Sequence, residues 1–313
     1  MTDEGNAGLM PDAAALAAVE AEIAGYNALR PQVARDAIWR MVLYMGGWAL
    51  LSALISWPLV TGGHSNVFGF VFVGIVFSGY YVYDQAISQR KGFQQALRDR
   101  MLPVIFGFVK DLNYSNGRTP RFMNRMPGEE LVRRTRSTHG DTITGVYDGL
   151  AFTLSETELA VGSGKHKEVT FKGVIVYFQQ EKPFTSELLA AKRPGRFSQA
   201  MRGLFGDRSK LMEVKSGDVF IDASHEFRTD NPTEAASRVA AMAKALGYLS
   251  EVWRDGVVRI AIQRGDGFLL VPSTKDFFEL PPIDVPLDFD AHAKPMIRDF
   301  VTLLATARLV SRI

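Results

Sequence analysis

The hydrophobic residues of this chain are concentrated in one stretch near the N-terminus. Residues 41–83 contain no Asp, Glu, Lys or Arg. One crossing of a bilayer takes about 20 apolar residues, so the stretch is long enough for two crossings. A short polar segment, residues 61–66, divides it near the middle. The pattern therefore predicts two membrane-spanning helices, 41–60 and 67–83, joined by a tight turn.

Aromatic residues mark the ends of the predicted spans. Trp39 and Trp57 are 18 positions apart, about 27 Å along a helix, which is close to the hydrocarbon thickness of a bilayer. Tyr80, Tyr81 and Tyr83 lie where the second span ends, as expected of an interfacial aromatic belt. The alternative is a buried helical hairpin in a soluble core. A soluble core helix rarely stays free of charge over a whole span and then over a second.

Basic residues predict the orientation of the hairpin. Seven of them flank the spans and none lies in the turn: Arg30, Arg35, Arg40, Arg90, Lys91, Arg98 and Arg100. Lys and Arg stay preferentially on the cytoplasmic side. We therefore expect a multi-pass protein of the inner (cytoplasmic) membrane with both termini in the cytoplasm. The first six residues lack the basic start of a signal peptide, so no cleavage is expected.

Small side chains recur on one face of the first span, at Gly46, Ala49, Ala53 and Ser56. Such residues let a second helix approach closely. Packing within the hairpin is the interpretation we favour. A seam between copies in a homo-oligomer is left open.

Apolar stripes predict amphipathic helices on both sides of the spans. The first helix is expected to start near Ala13 behind the cap Asp12 and to be interrupted at Pro31. Its stripe comprises Leu16, Val19, Ile23 and Tyr26. The stripe after the spans comprises Phe93, Leu97, Met101, Val104 and Phe108, with a kink expected at Pro103. Because both stripes lie on the same side of the predicted membrane, we expect them to pack together as a stalk.

The remaining chain carries strand and helix patterns in runs. We expect a loop over 113–125 and a short helix over 126–136 first. Alternating or β-rich stretches predict strands at 143–147, 150–154, 169–179, 211–216, 219–227, 257–262 and 268–272. Amphipathic helices are predicted from Pro232 to Gly247, capped by Asp230 or Asn231, and over 292–310. Strands that do not alternate strictly with helices indicate an antiparallel α+β domain. The chain thus divides into a membrane part, 1–112, and a cytoplasmic part, 113–313.

One segment of this domain, residues 184–210, is rich in basic residues, glycine and proline. We interpret it as a long mobile loop. Its candidate contacts with an anionic surface are Arg193, Arg196, Arg202, Arg208 and Lys210. Anionic lipid attracts such charges by about 1 kcal/mol each near the surface. A solvated loop without a lipid role is the alternative that we favour.

Composition excludes several classes of function. The chain has no Cys, so disulfides, thiol catalysis and Cys-ligated metal are excluded. A net charge of +2 and the absence of a recognition motif argue against nucleic acid. The His residues do not show metal-ligand spacing, and the segment 162–165 lacks the upstream Gly and the Ser or Thr of a phosphate loop. Asp218, Asp222 and Glu226 are expected to share one strand face as surface carboxylates. We therefore predict no catalytic, cofactor-binding or metal-binding residue and no cofactor.

Three motifs of the domain carry a family resemblance. They are Gly145-Val-Tyr-Asp-Gly, Phe152-Thr-Leu-Ser-Glu and Thr170-Phe-Lys-Gly-Val. They resemble the core motifs of the bacterial DUF3137 family over about residues 40–280. The resemblance implies a membrane-anchored protein of unassigned function and no catalytic residues. It also implies an association with LemA-type membrane proteins, which are therefore a candidate partner.

These patterns leave three functions open. The first is a membrane-anchored, non-enzymatic module that binds a partner protein or a lipid headgroup at the inner membrane face. The second is a membrane-associated hydrolase or other enzyme without a recognisable motif. The third is an accessory subunit of a membrane protein complex that contacts its partners through the hairpin.

Overall fold

The computed structural model describes residues 10–61, 65–182, 184–195, 209–282 and 285–313. The chain forms two compact units. The helical unit contains residues 13–104 and 280–293. The sheet unit contains residues 105–279 and 294–313.

Two long helices form most of the helical unit, α1 (Ala13–Thr61) and α2 (Ser65–Ile105). The predicted start at Ala13 is confirmed, but the interruption expected at Pro31 is wrong because α1 continues through it. A proline inside a helix costs about 3 kcal/mol. Residues with high helix propensity surround Pro31, among them Ala28, Leu29 and Gln32.

The predicted stripe of α1 is buried as expected. Val19 and Ile23 are buried, and Leu16 and Tyr26 are half-buried. Within the same unit, the Asn27 amide nitrogen donates to the Leu287 carbonyl oxygen at 2.6 Å, and its oxygen accepts the Leu287 N–H at 3.0 Å. These two hydrogen bonds fix the backbone of Leu287 to α1.

An antiparallel sheet of nine strands forms the second unit, which confirms the α+β class. The strands are β1 (Lys110–Asn116), β2 (Arg136–Tyr147), β3 (Leu150–Val161), β4 (Glu168–Gln179), β5 (Glu187–Lys192), β6 (Met212–Val214), β7 (His225–Thr229), β8 (Arg259–Gln263) and β9 (Asp266–Pro272). Their order across the sheet is β1-β2-β3-β4-β9-β8-β5-β7-β6, and every neighbouring pair is antiparallel.

Tight turns set the register of the best-predicted hairpins. Asp148 and Gly149 have φ angles of 46° and 78° between β2 and β3, the left-handed pair that a two-residue hairpin turn requires. Arg264 and Gly265 have φ angles of 49° and 87° between β8 and β9.

Three helices complete the sheet unit: α3 (Val219–Ser224), α4 (Pro232–Val252) and α5 (Lys294–Ser311). The side chain of Asn231 caps α4 by accepting the Glu234 N–H, as predicted. The helix continues to Val252, so the end expected at Gly247 is wrong. A π-helical turn, Phe289–Ala293, precedes α5.

Four other predictions of secondary structure are wrong. They fall where polar or charged residues obscure the pattern from which a strand or helix is predicted. The loop expected over 113–125 begins inside β1, and the helix expected over 126–136 is a series of turns that contains Pro127 and Gly128. The strand expected from Val219 starts as α3, because the Asp218 carboxylate accepts the first N–H groups of a helix. Asp218, Asp222 and Glu226 therefore do not share a strand face.

The fourth correction concerns the predicted basic loop. Its N-terminal part forms β5, which lies between β8 and β7 in the sheet. Leu188, Leu189 and Ala190 of this strand are fully buried. Four apolar residues form a strand here, although the neighbouring basic residues suggest a loop. Residues 196–208 of the predicted loop lie outside the described part of the chain.

Phe106 explains why the sheet unit begins ahead of residue 113. Its ring lies 5.6 Å from that of Phe278 and 4.5 Å from that of Phe300, between ring centroids, and it is fully buried. The other face of the sheet is covered by residues 122–132, whose apolar side chains pack on those of β3, β4 and β9.

Candidate functional site

Three carboxyl groups converge on one side of the sheet unit, although the sequence places them far apart. Asp141 lies on β2, Glu156 on β3, and Asp276 follows β9. One oxygen from each lies within 4.8 Å of the others. Asp141 is buried, Glu156 half-buried and Asp276 exposed, so the group opens to solvent at Asp276.

Asp141 fastens the edge strand. It lies in a bulge of β2, where the register with β3 shifts between His139 and Thr142. Its Oδ1 accepts a hydrogen bond from the Tyr114 hydroxyl and another from the Asn116 amide, both on β1, at 2.5 Å. These charge-assisted hydrogen bonds compensate the fully buried carboxylate.

Glu156 connects the sheet to the turn that follows β9. Its Oε1 accepts the backbone N–H groups of Phe277 at 2.6 Å and Phe278 at 3.3 Å. Burial, chiefly, and the nearby Asp276 and Asp141 carboxylates raise the pKa of Glu156 to about 9, against the weaker opposing effect of the Phe277 N–H. Glu156 is therefore protonated at neutral pH and can share its proton with Asp276.

A cleft of about 240 Å³ adjoins these groups. His139, Lys172 and Lys275 also line it. The His139 ring nitrogens lie 3.1 Å from the hydroxyls of Thr157 and Ser137, and burial lowers its pKa. At Gly173 of β4, with φ of 152°, a Cβ would collide with the Val271 carbonyl oxygen, so this wall of the cleft requires glycine.

The cleft combines the protonated carboxyl of Glu156, two further carboxyl groups and two lysines. Such a set can exchange protons, and three carboxyl oxygens at this separation are also the donor set that hard divalent cations prefer. However, Asp141 and Glu156 already accept hydrogen bonds within the fold. Asp141 accepts them from β1, and Glu156 accepts them from the turn after β9. The contacts seen therefore have a structural role, which sequence spacing could not reveal because the residues come from three separate segments.

A different feature, in the helical unit, is an exposed apolar surface. Within the described residues, one helical segment is long and apolar enough to cross a membrane, Ile38–Pro58, and its apolar window contains no buried residue. Leu54 is 71% exposed there, and Phe77 of α2 is 72% exposed. The apolar segment of α2, Val71–Asp84, is shorter. The second span, 67–83, remains a prediction, and the side chains of residues 67–70 lie outside the description.

The two helices touch through a tryptophan and a glycine. Trp48 Nε1 donates to the Ser78 hydroxyl at 3.1 Å, and a Cβ on Gly79 would lie 2.7 Å from the Trp48 ring. Of the four small residues proposed for helix packing, Ser56 is half-buried, whereas the other three are exposed: Gly46, Ala49 and Ala53. The helix-packing role of these four residues stays a prediction.

The candidate basic contacts fall in different places. Arg193 is tied into the fold, since Nε donates to the Asp222 carbonyl at 2.6 Å, Nη2 donates to the His225 carbonyl at 2.9 Å, and Glu213 lies 3.4 Å away. Lys210 is exposed. The remaining candidates lie outside the described residues: Arg196, Arg202 and Arg208.

Comparison with known proteins adds little. No family model matches the chain, and no curated protein matches it significantly. Among solved structures, the mycobacterial trehalose monomycolate transport factor A, TtfA, is similar with 11% sequence identity and a TM-score of 0.33. The similarity covers 62% of this chain and 88% of that one. A TM-score this low carries no argument about fold or function.

Proposed function

We propose that the protein is anchored in the inner membrane by the α1–α2 hairpin and that its sheet unit is a non-enzymatic module. The module binds a partner protein or a lipid headgroup at the cytoplasmic face. The observation that carries this proposal is the exposed apolar surface of the segment 38–58.

The magnitude of that surface favours a bilayer over water. Eleven large apolar side chains of the segment 38–58 are exposed: Ile38, Trp39, Met41, Val42, Leu43, Tyr44, Leu50, Leu51, Leu54, Ile55 and Trp57. Burying each side chain is worth roughly 1.5–3 kcal/mol, so a hydrocarbon environment gains on the order of 20 kcal/mol in total. A buried hairpin in a soluble core would enclose these side chains instead.

The proposed orientation rests on the seven flanking Lys and Arg residues and on their absence from the turn. Membrane anchoring is tested by extracting membranes with alkaline carbonate. An integral hairpin stays with the lipid, whereas a peripheral protein is released. Release of most of the protein would refute the anchoring.

A second candidate function, an enzyme, is favoured by the cleft beside Glu156. A carboxyl group whose pKa is raised by burial beside other carboxyl groups is an arrangement found in acid–base catalysis. The variants Glu156→Gln and Glu158→Gln form a matched pair that distinguishes an enzyme from a non-enzymatic module. Both are compared with the wild type in an assay of the protein's cellular function. Loss of function in the first variant alone, with stability kept, would favour the enzyme.

A third candidate, an accessory subunit, is favoured by the exposure of Gly46, Ala49 and Ala53. Small residues on a lipid-facing surface allow another helix to pack closely. Purification in mild detergent, with identification of what accompanies the tagged protein, would distinguish a LemA-type or other partner from a homo-oligomer.

A further inference from the structure

The short helix α3 presents two large apolar side chains to solvent. Val219 is 80% exposed and Phe220 is 88% exposed. The next residue, Ile221, is buried and fastens the helix to the sheet unit. The outward residues therefore contribute little to the core, and their exposure calls for an explanation.

Hydrogen bonds hold α3 rigidly in this position. The Asp218 carboxylate accepts the N–H groups of Phe220 at 2.9 Å and Ile221 at 3.1 Å. The N–H and hydroxyl of Ser216 donate to the Asp222 carboxylate at 3.1 and 2.9 Å. These hydrogen bonds fasten the start of α3, and its other end continues directly into β7. Little conformational entropy is therefore lost when the exposed side chains are covered.

The surroundings of α3 favour an anionic partner. Lys192 and Lys215 are exposed nearby, on the strand next to β7 and in the loop ahead of α3. The nearby Glu213 carboxylate is shared by Lys215 at 2.5 Å and Arg193 at 3.4 Å, which lower its pKa and neutralise its charge. Asp218 and Asp222 offset part of this positive charge, and both carboxylates are held by hydrogen bonds, from the start of α3 and from Ser216.

The size of the apolar surface favours a bilayer over a protein. A stable protein interface buries about 800 Å² on each partner. The exposed side chains of Val219 and Phe220 supply far less. A membrane interface can take up protruding apolar side chains without offering a complementary pocket.

We propose that α3 inserts Val219 and Phe220 into the interface of an anionic membrane while Lys192 and Lys215 contact its headgroups. This inference rests on the proposed function and names the surface that the module binds. The two apolar side chains enter the hydrocarbon boundary of the bilayer, and the two lysines give the preference for anionic lipid.

The absence of cysteine from the chain allows a direct test. Ala223 is exposed one turn after Val219 and Phe220, on the same face of α3. The full-length variant Ala223→Cys, labelled with nitrobenzoxadiazole, is reconstituted in vesicles of phosphatidylglycerol and phosphatidylcholine in equal parts. A quencher carried on the lipid chains then reports whether the label enters the bilayer. Val169→Cys, 48% exposed on β4, is the control position.

We expect lipid quenching at position 223 and none at 169. Adding Val219→Ser and Phe220→Ser should lower the inserted-to-free ratio at least about tenfold, because each side chain loses its apolar transfer energy. Replacing Lys192 and Lys215 by Gln, raising the salt, or using phosphatidylcholine alone should also lower it. Unchanged thermal unfolding would show that these surface variants remain folded.

Two results would overturn the inference. The first is a label at position 223 that lipid quenching never reaches in anionic vesicles. The second is a label that lipid does not quench and that is shielded from aqueous iodide only at high protein concentration. That result would indicate that a second copy of the protein covers α3. Carbonate extraction of the same vesicles separates the two proposals. Protein that stays with the lipid but leaves α3 in water refutes this inference alone, whereas released protein refutes the anchoring.

Discussion

Replacing Glu156 by glutamine should stabilise the sheet unit at alkaline pH. Glutamine has nearly the shape of a protonated glutamic acid. Its carbonyl oxygen can still accept the N–H groups of Phe277 and Phe278, and its NH₂ group can donate to Asp276. The variant therefore keeps the contacts of the neutral side chain and removes the group that must ionise.

The sign and size of the effect follow from the raised pKa. In the unfolded chain the Glu156 carboxyl has an ordinary pKa of 4.5, whereas in the folded protein the pKa is about 9. The folded state therefore holds a proton that the unfolded state releases above pH 4.5. Stability from this group is complete below that pH and is lost as the pH rises towards 9. One pKa unit corresponds to about 1.4 kcal/mol, so the wild type should lose about 2–4 kcal/mol from this group between pH 5 and pH 8.

Thermal unfolding of both proteins in detergent, followed by circular dichroism between pH 5 and pH 9, measures this loss. We expect nearly equal midpoints at pH 5 and a midpoint for Glu156→Gln that is roughly 5–10 °C higher at pH 8, given the size of the unit. Glu158→Gln, on the same strand but paired with Lys167 at the surface, is the control and should keep the wild-type pH dependence. Equal slopes for Glu156→Gln and the wild type would refute the reasoning.

The remaining predictions concern the unit boundary and the helix pair. A fragment 105–313 should fold more stably than 113–313 by about 3–5 kcal/mol in denaturant titrations, because the shorter one lacks Phe106 and part of β1; equal stability would place the boundary where the sequence suggests. Gly79→Leu should lower the thermal midpoint in detergent by the equivalent of about 1–3 kcal/mol, because its side chain collides with the tryptophan of α1. The control Gly74→Leu has open space and should have little effect; identical behaviour of the two variants would exclude the helix contact.

The strands with alternating apolar residues were predictable from sequence, and so was the capped helix α4. In β3, Leu150, Phe152 and Leu154 are buried at every second position, and β4 contains the apolar run 174–176. Glycines mark the turns after β2 and β8. The helix α4 has its cap and its proline at the expected places. These elements depend on local patterns that a single sequence contains.

Elements that depend on tertiary contacts were not predictable in this way. The edge strand β1 is mostly polar, and its Tyr114 and Asn116 find their partner in Asp141, a residue 25 to 27 positions away. The strand β5 is short and is followed by basic residues. The carboxyl cluster exists only because the register of β2 and β3 brings Asp141 and Glu156 together and the chain returns to them after β9.

Labelling single cysteines from outside intact cells tests the central claim of a cytoplasm-facing hairpin anchor most directly. Gly63→Cys lies in the predicted turn and Ile313→Cys at the C-terminus, and the chain has no other cysteine. A membrane-impermeant maleimide should label position 63 in intact cells and position 313 only after lysis. Labelling of position 313 in intact cells, or protection of position 63 until lysis, would contradict the proposed topology.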